Sequence, residues 1–321
     1  SDLLWRDPKI RNISEYAAKV HVAGDWYFNF ADCPAQAGPC GAREFLFGRA
    51  VGSPQLADFA ALDWQRQRQI ALPDEINLFY RVQHAFTVEA LATPRAAIPQ
   101  PDDTFLSSIG LFMARDDRFA LAVKAGDNGD SHNHNDVGSI ILYKDGQPLL
   151  IDVGVESYPA KTFSPRRYEI WTMQSAWHNL PTFGGVMQHD GEMFAAREVE
   201  TRFAGDVASI GMEIAGAYPP EAGVDSYRRT VTLTKGHGVA ITDVHSSRAS
   251  AELSLMFAAE PRLEPGRIVL EGLAEIAVIG AGLPRVEAIA ITDPRLRATW
   301  PERLYRVLLP LLGEELTLTI V

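Results

Sequence analysis

Cysteine is scarce in this chain. Only Cys33 and Cys40 occur among 321 residues, seven apart in NFADCPAQAGPCGA. That excludes a disulfide-built scaffold. The pair either closes one small loop in an oxidising compartment or remains as two thiols. Long hydrophobic runs are also missing, and no stretch approaches the length of a membrane span. The first twenty residues, SDLLWRDPKIRNISEYAAKV, lack the apolar core of a signal peptide. The chain is therefore intracellular, or has lost a signal, or is a piece of something longer. Its start in charged sequence without Met points to the C-terminal part of a longer protein. Positive charge is in deficit: 30 Lys and Arg stand against 41 Asp and Glu, a net charge of −11. A nucleic-acid binder needs the opposite balance, although a local basic patch for an acidic sugar stays open. No internal repeat and no low-complexity tract is visible.

What is present divides the chain in two. Residues 1–95 read as helical. ISEYAAKVHVA looks like a helix end, and REFLFGRAVGSPQLADFAALDWQRQRQIAL carries apolar residues at helical spacing with a Gly-Ser-Pro break at 52–54. Ser53 or Pro54 suits the restart, and DEINLFYRVQHAF is a further short helix. Prolines 94, 99 and 101 make residues 91–103 linker-like. From residue 96 to 321 the texture is short apolar or alternating runs, such as FALAVKAG, GSIILYKDGQPLLIDVG and SYRRTVTLTKGHGVAITDVHS. KDGQ and KGHG read as hairpin turns. Many short strands at this spacing predict an antiparallel sandwich or barrel, so the fold class is an α+β chain.

Four of the eight histidines, His132, His134, His178 and His189, fall within 58 residues, and Asp152 closes an apolar run between them. Arg166, Arg167, Tyr168 and His178 share FSPRRYEIWTMQSAWHNLP. An Asp at a strand end facing two histidines from other segments offers a set that suits Zn²⁺, with a fourth place for water. Plainer readings stand beside this. HNH lies among turn formers, Asp152 before Val-Gly suits a turn cap, and His178 suits a polar strand end. Arg166 and Arg167 can pair with the surplus acids, and Tyr158 and Tyr168 can be half-buried aromatics. His189, beside a probable Asp-Gly hairpin, and His237 in KGHG read as surface residues. His21, His84 and His245 read as structural.

Taken in order, SHNHNDVGSIILYKDGQPLLIDVGVESY and TFSPRRYEIWTMQSAWHNLPTFGGVMQHDG resemble the heparinase II/III family of polysaccharide lyases, well over residues 105–195 and more loosely beyond. WYFNFADC at 26–33 is similar to the end of that family's helical toroid. The resemblance implies the C-terminal part of an (α/α) toroid over 1–95, followed by an antiparallel β-sandwich over 96–321. It implies a zinc held by His134, Asp152 and His178. His132 would face the substrate, aimed from the same strand as His134 because residues two apart point the same way. Tyr168, favoured over Tyr158, would be the second catalytic group. Arg166, Arg167, Tyr158 and Asn29 would contact substrate, with Tyr27 and Asp32 near the cleft. The implied chemistry is β-elimination at a uronic acid. The family's main catalytic tyrosine lies in the toroid, upstream of anything matched. The expected partner is an acidic, uronate-containing polysaccharide or oligosaccharide, with no nucleic acid, no membrane, and room for a homodimer. The expected compartment is bacterial, periplasmic or cytoplasmic. Two other classes remain: a non-catalytic carbohydrate-binding sandwich with a structural metal, and a hydrolase using zinc-bound water.

Overall fold

The computed structural model describes residues 2–38, 40–67, 76–97 and 101–321. Part of the 91–103 linker, and the sequence from the end of QRQRQIAL to the start of DEINLF, lie outside the described residues. The contacts divide the chain into two compact units. Residues 1–27 and 36–101 form one; residues 28–35 and 102–321 form the other.

In the helical unit Ala42–Ala50, Pro54–Gln67 and Leu78–Ala92 are the long helices. The Gly-Ser-Pro break is where expected, with Ser53 Oγ accepting from Leu56 N at 3.3 Å and Pro54 in the first turn. The third helix runs further than the sequence suggests, capped by Asn77. Phe45, Ala57, Ala60, Ala61, Trp64 and Leu91 make the core. Gly48 permits the first two long helices to approach: a Cβ there would stand 2.6 Å from Ala57 N. These helices are a packed cluster. No helix among the described residues is long and apolar enough to cross a membrane.

The second unit holds large antiparallel sheets, as the short alternating runs predict. Five strands form a sequential meander: Thr104–Leu106, Leu111–Arg115, Phe119–Lys124, Ile140–Lys144 and Gln147–Leu150. Its three middle strands are buried along their whole length, which is why LFMAR, FALAVK and IILYK are apolar without alternation. The KDGQ turn is a hairpin with Asp145 and Gly146 both at positive φ, the twist-matched two-residue form. An eight-stranded sheet is built around Val224–Thr234, Gly238–Ser247 and Glu315–Ile320. Alternate residues of these strands are buried. A four-stranded sheet pairs Ala251–Phe257 with Arg303–Pro310. Leu121, Leu142, Ile210, Val231, Leu253 and Val307 belong to one shared apolar core, at about 25 cal/mol per Å² of apolar surface removed from water.

Some strands carry no alternation in sequence. Arg197–Ala204 is an exposed edge strand, so nothing forces its residues into an apolar pattern. The Asp190-Gly191 pair is not a hairpin turn: Gly191–Ala195 pairs with Asp127–Asn128 instead. Both cysteines are free thiols, so the small-loop disulfide is not formed.

Candidate active site and metal centre

Three segments of the second unit meet at one end of the meander. The first is residues 28–35. The second is the loop of residues 129–139, between Asp127–Asn128 and Ile140–Lys144. The third is residues 151–180, which leave Gln147–Leu150 and wind through short 3-10 turns. HNH is not on a strand, contrary to the expectation that one strand face presents both histidines. His132 takes a left-handed φ of 59°, which turns the chain between the two side chains. The His132 side chain is 56% exposed and that of His134 is fully buried.

His134, Asp152 and His178 are buried, and their ligand atoms lie within 4.8 Å of one another. Asp152 Oδ1 accepts from Gly154 N at 2.8 Å, which leaves Oδ2 facing the histidines. His178 Nδ1 lies 3.0 Å from that oxygen. Burial pushes the Asp152 carboxyl up, but the charge of His178 more than offsets it and holds it below the ordinary range. Burial pushes His178 down, and Asp152 reverses this and holds it up. His134 Nδ1, Asp152 Oδ2 and both ring nitrogens of His178 make no hydrogen bond among the described residues. Leaving such buried atoms unsatisfied costs about 1–3 kcal/mol each. A metal ion taking their lone pairs removes that cost, so these residues fit one.

Asp32 joins this cluster to the surface. Its Oδ1 lies 3.2 Å from His134 Nε2 and its Oδ2 lies 2.8 Å from His132 Nδ1. Tyr158 Oη donates to Oδ2 at 2.9 Å, and Arg167 Nη2 donates to Oδ1 at 2.7 Å. Burial raises the Asp32 carboxyl, but the bonds from His134, His132, Tyr158 and Arg167 win and hold it far below the usual carboxylate range. An ionised carboxylate can only accept, so each histidine nitrogen facing it carries the proton. One group thereby sets two tautomers. His134 thus turns Nδ1 toward the metal cluster, and His132 turns Nε2 away from Asp32.

The other expected site residues fall in distinct places. Arg167 also donates to the Asn133 carbonyl from Nε and Nη2 and so ties the HNH loop to Asp32. Arg166 is exposed and forms a two-pronged pair with Glu169 at 2.8 and 2.7 Å. Tyr158 is 41% exposed, with the Arg295 guanidinium 4.8 Å above its ring. Tyr168 Oη accepts from Asn133 Nδ2 at 3.3 Å, and the ring lines a cavity with Asn135, Gln174, Gln188 and His189. Asn29 is buried and donates to the carbonyls of Cys33 and Asp152, which fastens residues 28–35 to the Asp152 segment. Tyr27 belongs to the helical unit, where it is buried. His189 is exposed beside Asp190. The residue whose weight the sequence understates is Asp32: it lies 100 to 135 positions from the partners of its carboxylate, and NFADC gives no local sign of them.

Residues 98–295 match the family described as Heparinase II/III-like, C-terminal. That is more than half of the chain, which therefore belongs to this family. No curated protein matches the sequence. Among solved structures, heparinase III is similar at a TM-score of 0.64 and 14% identity, over 100% of this chain and 49% of that one. A heparan sulfate lyase from Pedobacter heparinus is similar at a TM-score of 0.55 and 16% identity, over 97% of this chain and 54% of that one. At these identities the likeness is one of fold. The chain spans about half the length of these structures.

Proposed function

We propose that this chain carries part of the active site of a polysaccharide lyase that cleaves uronic-acid-containing chains by β-elimination, with a zinc ion at His134, Asp152 and His178. The observation that supports it most is the Asp32 carboxylate, which holds a buried metal-type cluster on one oxygen and an outward-facing His132 and Tyr158 on the other. When bound, zinc supplies a fixed positive centre that ties the HNH loop to the segments of Asp152 and His178. A helical toroid, of which residues 1–95 would be the end, is part of the same reading.

In the reaction a base takes the proton from C5, the C5–H electrons form the C4=C5 double bond, and the C4–O bond breaks onto a leaving oxygen that accepts a proton. His132, whose Nδ1 is held by Asp32 and whose Nε2 is turned away from it, suits the first step. Tyr158, whose hydroxyl shares Oδ2 with His132, is a proton donor beside it. Tyr168, whose hydroxyl accepts from Asn133 of the HNH loop, is the other candidate for that role. Arg166, exposed and paired with Glu169, would have to exchange that partner to draw in the substrate carboxylate, whose charge must be balanced as the C5 carbanion develops.

The test joins metal content to product chemistry. One zinc per chain is expected by mass spectrometry, lost in His134→Ala and kept in His132→Ala. In the protein with its whole helical domain, uronate polymers should yield an ultraviolet-absorbing unsaturated end, and none with His132→Ala. Zinc loss from His132→Ala, or full turnover by it, overturns the division between the two histidines. Saccharide binding without any unsaturated product would favour the non-catalytic binding module.

A further inference from the structure

Beside the candidate site lies a second cavity of about 180 Å³ whose wall includes Glu156, Trp171, Trp177, Thr292 and Asp293. We propose that it binds one uncharged sugar ring of the polysaccharide, adjacent to the unit that is cleaved. This rests on the proposed function for the polymer, though not for the binding itself.

Two half-buried indoles, edge to face at 5.1 Å, share its apolar surface with Ile289, Ala290, Ile291 and Leu296. Both are held in place. Trp171 Nε1 donates to Glu156 Oε1 at 2.8 Å, and the Arg306 guanidinium lies 3.9 Å from the centre of the Trp177 ring. Fixed aromatic rings at a cavity wall are a costly feature unless an apolar face covers them. The C–H face of a pyranose is such a surface, and its rim of hydroxyls needs acceptors. Glu156 uses one oxygen on Trp171 and has the other to offer, and Thr292 adds a hydroxyl. The volume is below the roughly 300 Å³ at which pockets for drug-sized ligands begin, which suits one ring and not several.

Charge sets what kind of ring. Among the lining residues Glu156 and Asp293 are acidic and none is basic, so a uronate carboxylate is repelled. The cavity is also tied to the candidate site. Glu156 is two residues from Tyr158, at most about 7 Å of chain. Ser157 N donates to both oxygens of Asp293 at 3.1 Å. Arg295, two residues beyond Asp293, donates to the Asp32 carbonyl at 3.0 Å. A polymer placing a uronate at His132 would therefore place its neighbour near the indoles. The cavity favours chains in which uronate alternates with an uncharged sugar over chains of uronate alone.

The experiment follows the indole N–H of Trp171 by NMR in the intact chain, titrated with methyl glucoside and, separately, with glucuronate. The resonance should move with methyl glucoside and stay still with glucuronate. In Glu156→Gln, which still accepts the Trp171 N–H, it should move with both. No movement with methyl glucoside, or equal movement with both sugars in the unaltered protein, overturns the proposal. On polymers, Trp171→Phe should raise KM about tenfold with kcat unchanged on an alternating chain and leave cleavage of a polyuronate unaltered; an equal effect on both also overturns it. If the resonance moves but the protein with its whole helical domain forms no unsaturated product, the cavity stands and the lyase reading falls.

Discussion

Asp32 touches His134, His132, Tyr158 and Arg167 with two oxygens. A group that orients a metal-ligating imidazole through its far nitrogen typically contributes 10–100-fold to metal affinity. Asp32→Asn keeps the volume but offers one acceptor where there were two and loses the charge opposite Arg167. We expect zinc affinity, measured by competition with a chelating dye, to fall by about that factor, while Asp32→Glu recovers part of it. Unchanged affinity in Asp32→Asn would show that the ligands hold His134 without help. The runs around His132–His134, Ile151–Gly154 and His178–Asn179 (HxH, IDxG and HN) were legible in sequence because each is local. Asp32 was not, because its importance arises only from what folds onto it.

At the scale of elements, two ties deserve a measurement. Asn179 stands beside His178, and its amide joins three segments. It donates to Ile140 O at 2.7 Å and Ile151 O at 3.1 Å, and accepts from Met256 N at 2.8 Å. Asn179→Ala strips partners from three buried backbone groups. At roughly 1 kcal/mol or more for each, we expect a loss of about 3 kcal/mol in denaturant unfolding and a loosening of the Asp152 segment. A loss under about 1 kcal/mol would mean that water replaces the amide. The asparagine of the HN pattern is thus a brace, which its position in sequence did not reveal.

The second tie is in the helical unit, where Glu15 accepts from Ser53 at 2.7 Å and Arg11 at 3.0 Å. Burial raises this carboxyl, but Ser53, Arg11 and Lys19 win and hold it below its ordinary value. A folded value below the unfolded one, near 4.3, gives stability that is present above the unfolded value and lost as pH falls through the folded one. The stability gap between the protein and Glu15→Gln should therefore be constant above about pH 5 and close as acid is added. A gap independent of pH would remove the carboxylate from the account.

At the scale of the whole β-rich unit, Arg229 and Asp243 are the buried centre. They stand opposite each other on neighbouring strands and form a two-pronged pair at 2.8 and 2.7 Å. Arg229 also donates to the carbonyls of Gly138 and Asn179 at 2.9 and 2.7 Å, which are the ends of the two loops that carry His134 and His178. Arg229→Met leaves the Asp243 carboxylate buried with no countercharge and only the Tyr227 hydroxyl as donor, at a cost of about 3–5 kcal/mol. Arg229→Met with Asp243→Leu should be much milder in the same thermal melts. If the double variant is as unstable as the single one, the pair acts through its loop contacts and not through charge.

By itself the sequence determined the class of each half and the identity of the buried cluster. Helical spacing, the break at 52–54, the KDGQ hairpin and the ordered HxH, IDxG and HN patterns all express contacts between near neighbours. Only the tertiary structure decided which strands adjoin, that HNH is a loop, and that Asn29 and Arg166 hold protein groups. Only it set Tyr158 beside His132 on Asp32 and Glu156 beside Trp171. The contacts of Glu156 with Trp171, Tyr158 with Asp32 and Asn29 with Asp152 join segments from fifteen to more than a hundred residues apart. Local periodicity does not record them, because they exist only once the core has brought the segments together.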